Sequence, residues 1–430
     1  MSADRWRNRI VPAAPGSRVT PVELFYDLVF VLAFLSVTSL IAENLNVFAL
    51  LAGLVVLALL WWCWVSFVAL GNVVRADQGV VPLVGAVTVA ALFVLTLTLP
   101  EAFTDRPGGP HGPFVVAFCY LVIRAVPVLV LLTRSGEPPR RAALRFGLPR
   151  LASVALLLVA AAVPDPPGDR QPWLRLALWA AAVGIEFTAG GRVRSLGFTV
   201  VSAGHWAERY SLILLIALGE SIISLGLGPR TIPGLAVSWP VILASVLGVA
   251  VIAALWWMYF DTLAPGLEQK LHRTRDPDQR AALARDLYTY LHLPLIAGII
   301  LFALGLKKYL NAIAEAVGDP WLVRAHGLDN RVLFAGVVIY MVGLLALGVR
   351  ASRRVRLAPT VITLALAIGL PFAGRLPAVA GLAVLAVASV ALVLAGLRAG
   401  DPLRRQVRQT ALREHVAAEQ EQSEWRRRNL

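Results

Sequence analysis

Glu23 and Asp27 stand one helical turn apart in the run Thr20-Pro21-Val22-Glu23-Leu24-Phe25-Tyr26-Asp27, so a helix here would present both carboxyls on one face. Two acids that close repel each other unless a cation intervenes. Glu23 also suits a helix start, where a carboxylate complements the helix dipole, whereas Asp27 lies a turn deeper. Glu220, in Leu218-Gly219-Glu220-Ser221, falls near the middle of another apolar run. An ionisable group at such a depth in a membrane costs at least about 2.5–3.5 kcal/mol, which makes it either a hydrogen-bonding strut between helices or part of a solute or proton route. Glu208 and Arg209 open that same run and read as an interfacial pair. Arg124 sits midway through an apolar run of its own, as a natural counter-charge for Glu220 or Asp27. His292 follows Tyr288 by one turn and precedes Pro294, placed either to pack or to exchange protons with the acids. Asp261, after Trp256-Trp257-Met258-Tyr259-Phe260, and Glu186 fall toward the same end, and the aromatic cluster reads as an interfacial belt. Two chemistries suit this set: a pathway for an ion, proton or small solute, or a membrane-embedded enzyme using Asp27, Glu220 and His292 as acid, base or metal ligands.

Other chemistry finds no support. There is no P-loop, no Rossmann glycine fingerprint, no H-E-x-x-H and no G-x-S-x-G. The only cysteines, Cys63 and Cys119, lie inside apolar runs, so neither a disulfide framework nor a metal-ligand spacing is present, and no cofactor is expected.

The elements that must hold these residues are membrane helices. Of the 430 residues, 58% are hydrophobic and 15% charged, and the mean hydropathy is +0.72, far beyond what a water-soluble domain tolerates. Runs long enough to cross about 30 Å of hydrocarbon fall near residues 23–42, 45–70, 80–100, 113–133, 148–164 and 173–190, then 208–228, 238–261, 286–306, 331–349, 357–374 and 377–397. The expected fold is therefore an all-α polytopic bundle of about twelve spans. The fifth and eleventh runs are short, and turn-rich breaks such as residues 105–110 and 164–168 separate the runs.

The net charge of +14 is distributed in short connections rather than in a nucleic-acid-binding face. The N-terminal segment 1–22, the even-numbered connections (Arg134, Arg140, Arg141 and Arg145; Lys270, Arg273, Arg275 and Arg280; Arg350, Arg353, Arg354 and Arg356) and the tail hold most of the Lys and Arg. By the positive-inside rule both termini are cytoplasmic. Asp276-Pro277 reads as a helix start at the membrane surface, and the basic tail 398–430 as a helix drawn to anionic lipid.

Matched features recur six spans apart. Glu23, Phe25, Ser36 and Ser39 correspond to Glu208, Tyr210, Ser221 and Ser224; Leu60-Trp61-Trp62 corresponds to Leu255-Trp256-Trp257; and Pro82-Leu83-Val84-Gly85 resembles Pro294-Leu295-Ile296-Ala297-Gly298. An even offset gives both halves one orientation, so residues 23–190 and 208–397 would form a parallel 6+6 repeat joined by a cytoplasmic connection, 191–207.

Residues 20–31, Glu208-Arg209-Tyr210 with Leu218-Gly219-Glu220-Ser221-Ile222, the stretch 256–261 and Tyr290-Leu291-His292-Leu293-Pro294 resemble, in order, the signatures of the bacterial low-temperature-requirement A (LtrA) family. The resemblance covers nearly all of the chain except the tail. It implies a multi-pass protein of the bacterial inner membrane, named for a growth phenotype in the cold. Its leading functional reading is a transporter or channel-like permease for an ion or small solute, coupled to protons; the alternatives are the membrane-embedded enzyme or a scaffold that senses membrane state. The expected partners are the lipid bilayer and the solute, with no nucleic acid.

Overall fold

A computed structural model describes residues 10–105, 108–134, 147–164, 173–191, 200–227, 237–316, 318–324, 328–398 and 402–429. Arg140, Arg141, Arg145, most of the 164–168 turn and residues 192–199 of the 191–207 connection lie outside the described residues. Fifteen α-helices follow in order: α1 Pro21–Glu43, α2 Val47–Val73, α3 Val81–Thr98, α4 Gly112–Arg134, α5 Leu148–Ala162, α6 Trp173–Gly191, α7 Ala203–Leu227, α8 Trp239–Phe260, α9 Leu263–Arg273, α10 Pro277–Ala284, α11 His292–Ala314, α12 Leu328–Ser352, α13 Leu357–Gly369, α14 Ala378–Arg398 and α15 Pro402–Asn429. No strand occurs among the described residues, only an isolated bridge between Pro12 and Val74.

Among the described residues, ten helical stretches are long and apolar enough to cross a membrane. The two other apolar runs also form helices: α5 has only 15 residues, and α6 has 19 but carries Arg175 and Glu186. Polar residues set the boundaries. Thr20 and Glu23 form a capping box that starts α1, the Thr20 hydroxyl accepting from the Glu23 N–H while the Glu23 carboxylate accepts from the Thr20 N–H. Asp276 caps α10 by accepting from the Gln279 N–H at 2.7 Å, with Pro277 in the first turn, as the sequence suggested. Beside α1, the link from α2 to α3 carries Arg75, whose guanidinium hydrogen-bonds to Asp77 and holds that carboxyl below its ordinary range.

Two sets of packing pairs organise the bundle. In the first six helices α1 packs on α2 and α3, α3 on α4, α4 on α5, α5 on α6, and α2 on α6. In the rest, α7 packs on α8 and α11, α11 on α12, α12 on α13, α13 on α14, and α8 on α14. The two sets meet where α1 lies against α7. Three contacts fix that seam: Glu23 to His205, Asp27 to Arg209 and Thr38 to Glu220, each across 182 residues. A constant offset means that the two helices run parallel and in register.

The closest packing is between α11 and α12, which cross backbone to backbone. A Cβ on Gly298 would stand 2.7 Å from the Gly336 carbonyl oxygen, one on Gly336 2.4 Å from the Phe302 nitrogen, and one on Gly305 2.6 Å from the Leu333 Cα. Small residues allow this approach, which drives helix association in lipid through dispersion. Gly336→Ala should therefore lower the stability of the purified protein by about 1–3 kcal/mol, read as a fall in melting temperature. Gly348→Ala on the same helix, where a Cβ meets nothing within 4 Å, should be neutral or gain up to about 1 kcal/mol. Equal behaviour of the two variants would refute the close-contact reading.

Candidate functional site

The seam between α1 and α7 gathers the buried charge of the molecule's middle. At its lower end the Glu23 carboxylate accepts from the Thr20 N–H at 2.9 Å through Oε2, and its Oε1 lies 2.8 Å from His205 Nε2. Arg209 Nη1 stands 3.5 Å from that same Oε1. One turn deeper, Asp27 Oδ1 accepts from Trp64 Nε1 and from Arg209 Nη2, both at 2.7 Å. The Arg209 guanidinium lies about 6 Å over the Trp64 and Phe67 rings, a cation–π setting that suits a desolvated arginine. Glu23, Asp27, His205 and Arg209 are each at most 2% exposed. Space for the Glu23 carboxylate depends on Gly71, where a Cβ would sit 2.1 Å from Oε1.

Farther along the seam, Glu220 Oε1 lies 2.7 Å from the Ser224 hydroxyl and 3.1 Å from the Thr38 hydroxyl. Glu220 is fully buried, its Oε2 has no hydrogen-bond partner, and no cation forms an ion pair with it among the described residues. Beside the seam, α11 begins with a neutral-looking cage around His292. The Tyr259 hydroxyl lies 2.8 Å from His292 Nε2, and Nδ1 lies 2.9 Å from the Leu287 carbonyl oxygen. That carbonyl belongs to a π-helical turn, Arg285–Tyr290, immediately before the helix; such turns collect at functional sites. Tyr288 stacks on His292, and Tyr210 bonds to the Thr289 hydroxyl at 2.9 Å.

Signatures that lie along this seam match a family model, the bacterial low temperature requirement A protein (LtrA), over residues 18–395. The chain belongs to that family. An uncharacterized protein of Rhizobium meliloti (strain 1021) is 27% identical to this LtrA-family chain over 323 residues, which is 70% of this chain and 74% of the relative. No solved structure gives a significant match. The matched stretch takes in every seam residue of this LtrA protein and leaves α15 outside.

Arg124 meets neither Glu220 nor Asp27, the two acids the sequence offered. Its Nη2 bonds to Glu186 Oε2 at 2.5 Å and its Nη1 to the Trp62 carbonyl at 2.8 Å and to Ser66, while the Tyr120 hydroxyl donates to Glu186 Oε1 at 3.1 Å. The reason is connectivity: α4 packs within the first set of helices against α2, α3 and α5, so its arginine finds the acid of α6 and never reaches α7. Glu220, expected near Arg124, Asp27 or His292, instead holds Thr38 and Ser224. Arg209, read as an interfacial partner of Glu208, is fully buried on Asp27, and Glu208 accepts, among the described residues, from the Val19 N–H at 3.4 Å. Asp261 leaves the bundle interior to bind the tail, at 2.6 Å from Arg404 and 3.5 Å from Arg408. Of the tryptophan pairs, Trp256 and Trp257 are 40% and 36% exposed, as a belt requires, whereas Trp61 and Trp62 are buried and serve the core.

Four participants escaped the sequence. His205 precedes the apolar run and fell in a connection, although α7 starts at Ala203. Asn72, whose amide lies 3.3 Å from His205 Nδ1, Trp64 and Thr38 are uncharged, and nothing within the apolar runs singles them out. A spacing signal was available for His205: with Arg209 it forms an i, i+4 pair on one helix face, the same spacing as Glu23 and Asp27.

A separate cleft of about 300 Å³ opens between α1, α2 and α3, with Phe25, Tyr26, Phe67 and Val89 among its walls. Tyr26 is the sole titratable residue of that lining. No group of three or more His, Cys, Asp or Glu able to hold a metal occurs among the described residues.

Proposed function

We propose that this LtrA-family protein is a proton-coupled permease for an ion or small solute, with its route along the seam between α1 and α7. The observation that carries this is the register of buried ionisable pairs in that seam. A bundle that needed only to stand in lipid would hold its central helices with small and apolar residues, since each buried charge is costly. Here both acids of α1 face ionisable partners of α7, and a further carboxyl lies deeper on the same line.

The surrounding architecture supports transport. The packing pairs of the first six apolar helices recur in the same order among the second six, α1 answering to α7, α2 to α8, α3 to α11, α4 to α12, α5 to α13 and α6 to α14. Two halves of like orientation, related by an axis along the membrane normal, place a route at their junction. Parallel α1 and α7 also require an even number of crossings before α7, so α5 and α6 cross together or not at all. Twelve crossings satisfy this with both termini on one face, which the Lys and Arg of the connections assign to the cytoplasm of a bacterial inner membrane. Asp27, Glu220 and His292 each hold different partners, and no acid lines the lipid-side cleft, so enzyme chemistry at a shared centre draws no support from the geometry.

The test is flux. Purified protein in liposomes loaded with a pH-sensitive dye should dissipate an imposed proton gradient in proportion to the protein reconstituted, and screening of cations and small solutes should reveal one that accelerates it. Liposomes with folded protein that pass neither protons nor alkali cations would overturn the proposal.

A further inference from the structure

The hydrogen bonds around His205 determine which of its nitrogens carries hydrogen. The Val201 N–H can only donate, and it points at Asn72 Oδ1 at 2.8 Å. The Ser202 carbonyl can only accept, and it lies 2.8 Å from Asn72 Nδ2. Two independent backbone groups thus fix the amide orientation, which a side-chain partner alone would leave ambiguous. The amide NH2 therefore faces His205 Nδ1, at 3.3 Å, and Nδ1 must be the accepting nitrogen. The ring hydrogen is then on Nε2, donated to Glu23 Oε1. A second ring hydrogen would point at the Asn72 NH2, so the surroundings select the neutral ring.

Charge can now be counted. Glu23 and Asp27 contribute two negative charges and Arg209 one positive, within a cluster whose members are at most 2% exposed. Facing groups on the neighbouring helices do not restore the balance. On α1 itself Tyr26 is the other titratable neighbour; α2 brings only the thiol of Cys63 and α3 no charged residue; the α2–α3 link brings Arg75, whose charge is met by Asp77, and α4 brings Arg124, whose charge is met by Glu186; α7 adds Glu208, held at Val19, and the distant Glu220; α11 brings His292, enclosed by Tyr259 and Leu287, with Lys307 and Lys308 farther along. The cluster is one positive charge short. Its bonds show where the shortfall lies: both Glu23 oxygens are engaged, whereas Asp27 Oδ2 is buried with no partner.

We infer that the Glu23–Asp27–His205–Arg209 cluster is a binding site for a single proton, taken up by the Asp27 carboxylate at Oδ2. The step is simple protonation, with Oδ1 continuing to accept from Trp64 and Arg209. Glu23 keeps its charge through the Thr20 and His205 bonds, and Arg209 is left to balance it. The inference deepens the permease reading by naming its coupling site, and it is tested without flux so that the two can fail separately.

The experiment is infrared titration of the full-length protein in phosphatidylethanolamine–phosphatidylglycerol vesicles, following the C=O stretch of a protonated carboxylic acid as pH is lowered through the physiological range. A protonated-carboxyl band should appear, and the Asp27 component of it, one carboxyl in intensity, should be absent in Asp27→Asn and persist in Glu220→Gln. It should also be absent in Glu23→Gln, although that variant keeps Asp27, because removing one negative charge leaves Asp27 and Arg209 already balanced. Should Asp27→Asn fail to fold, the wild-type protein with 13C-labelled aspartate and 15N-labelled histidine serves instead: one aspartate carbon should titrate while one imidazole remains protonated at Nε2 only. A band that keeps its full intensity in Asp27→Asn, an imidazolium at His205 in place of a protonated aspartate, or displacement of the Asp27 component by sodium or potassium at fixed pH would overturn the inference. Flux without the band would leave the permease and move its proton elsewhere; the band without flux would leave the site and remove the permease.

Discussion

Glu220→Gln is expected to abolish pH-dependent flux in reconstituted liposomes while leaving the amount of folded protein unchanged. The residue lies well inside α7, buried, with its carboxyl shared between the hydroxyls of Thr38 on α1 and Ser224 on its own helix. A glutamine keeps an oxygen that accepts from both hydroxyls and nearly the same volume, so the cost in stability should stay within about 1 kcal/mol. What it cannot do is exchange a proton. A group with no ion-pair partner among the described residues and one unbonded oxygen is suited to alternate between charged and neutral forms. The loss of proton flux should be at least tenfold, measured at matched protein density, with an unchanged melting temperature as the control. Undiminished pH-dependent flux in this variant would reduce Glu220 to a strut between α1 and α7.

Arg209→Met should be the most destabilising single substitution in the seam, by about 3–5 kcal/mol. It removes the arginine that, among the described residues, pairs with two carboxylates that are each 1% exposed, and breaking one side of a buried pair leaves an uncompensated charge in a medium of low dielectric constant. Methionine retains the stem that packs against Trp64 and Phe67, so the deficit reflects charge rather than lost volume. Adding Asp27→Asn should recover part of the loss, and the double-mutant cycle should give a large coupling between the two positions. Glu208→Gln, whose carboxylate meets, among the described residues, the Val19 N–H, should stay within about 0.5 kcal/mol of the parent. Thermal unfolding in detergent measures the parent, the two single variants, the double variant and Glu208→Gln; an Arg209→Met protein as stable as Glu208→Gln would mean that the seam charges are solvated and the pairing unimportant.

The sequence revealed the helices better than their partners, for a physical reason. An apolar run of about twenty residues is a local property that hydrocarbon thickness makes decisive, so each of the twelve runs reappears as a helix. Ends were less secure: the ninth run closes at Lys307 and Lys308 by hydropathy, yet α11 continues to Ala314 because Lys308 donates to the Ala42 carbonyl at 2.9 Å. Pairings were hidden because they depend on which helices touch. Arg124 and Arg209 look alike in sequence, an arginine in or beside an apolar run, but one serves Glu186 and the other Asp27. Gly298, Gly305 and Gly336 likewise stand among the many glycines of the chain until two backbones are seen to meet there.

The way these helices are held also determines how the molecule responds to temperature. Apolar association in water is largely entropic and fades on cooling, but helices already in lipid gain little from it. The body of the bundle is fastened by the Arg209–Asp27 and Arg124–Glu186 pairs, the Thr38–Glu220 contact and the backbone approach of α11 to α12, all of them enthalpic and none of them weakened by cold. The tail is fastened differently. Outside the apolar runs, α15 buries Val407 against α9, where the Val407 carbonyl accepts from Gln269 at 3.0 Å, and bonds Arg404 to Asp261. Part of that attachment is apolar burial in contact with water, so chilling loosens the tail before it loosens the bundle.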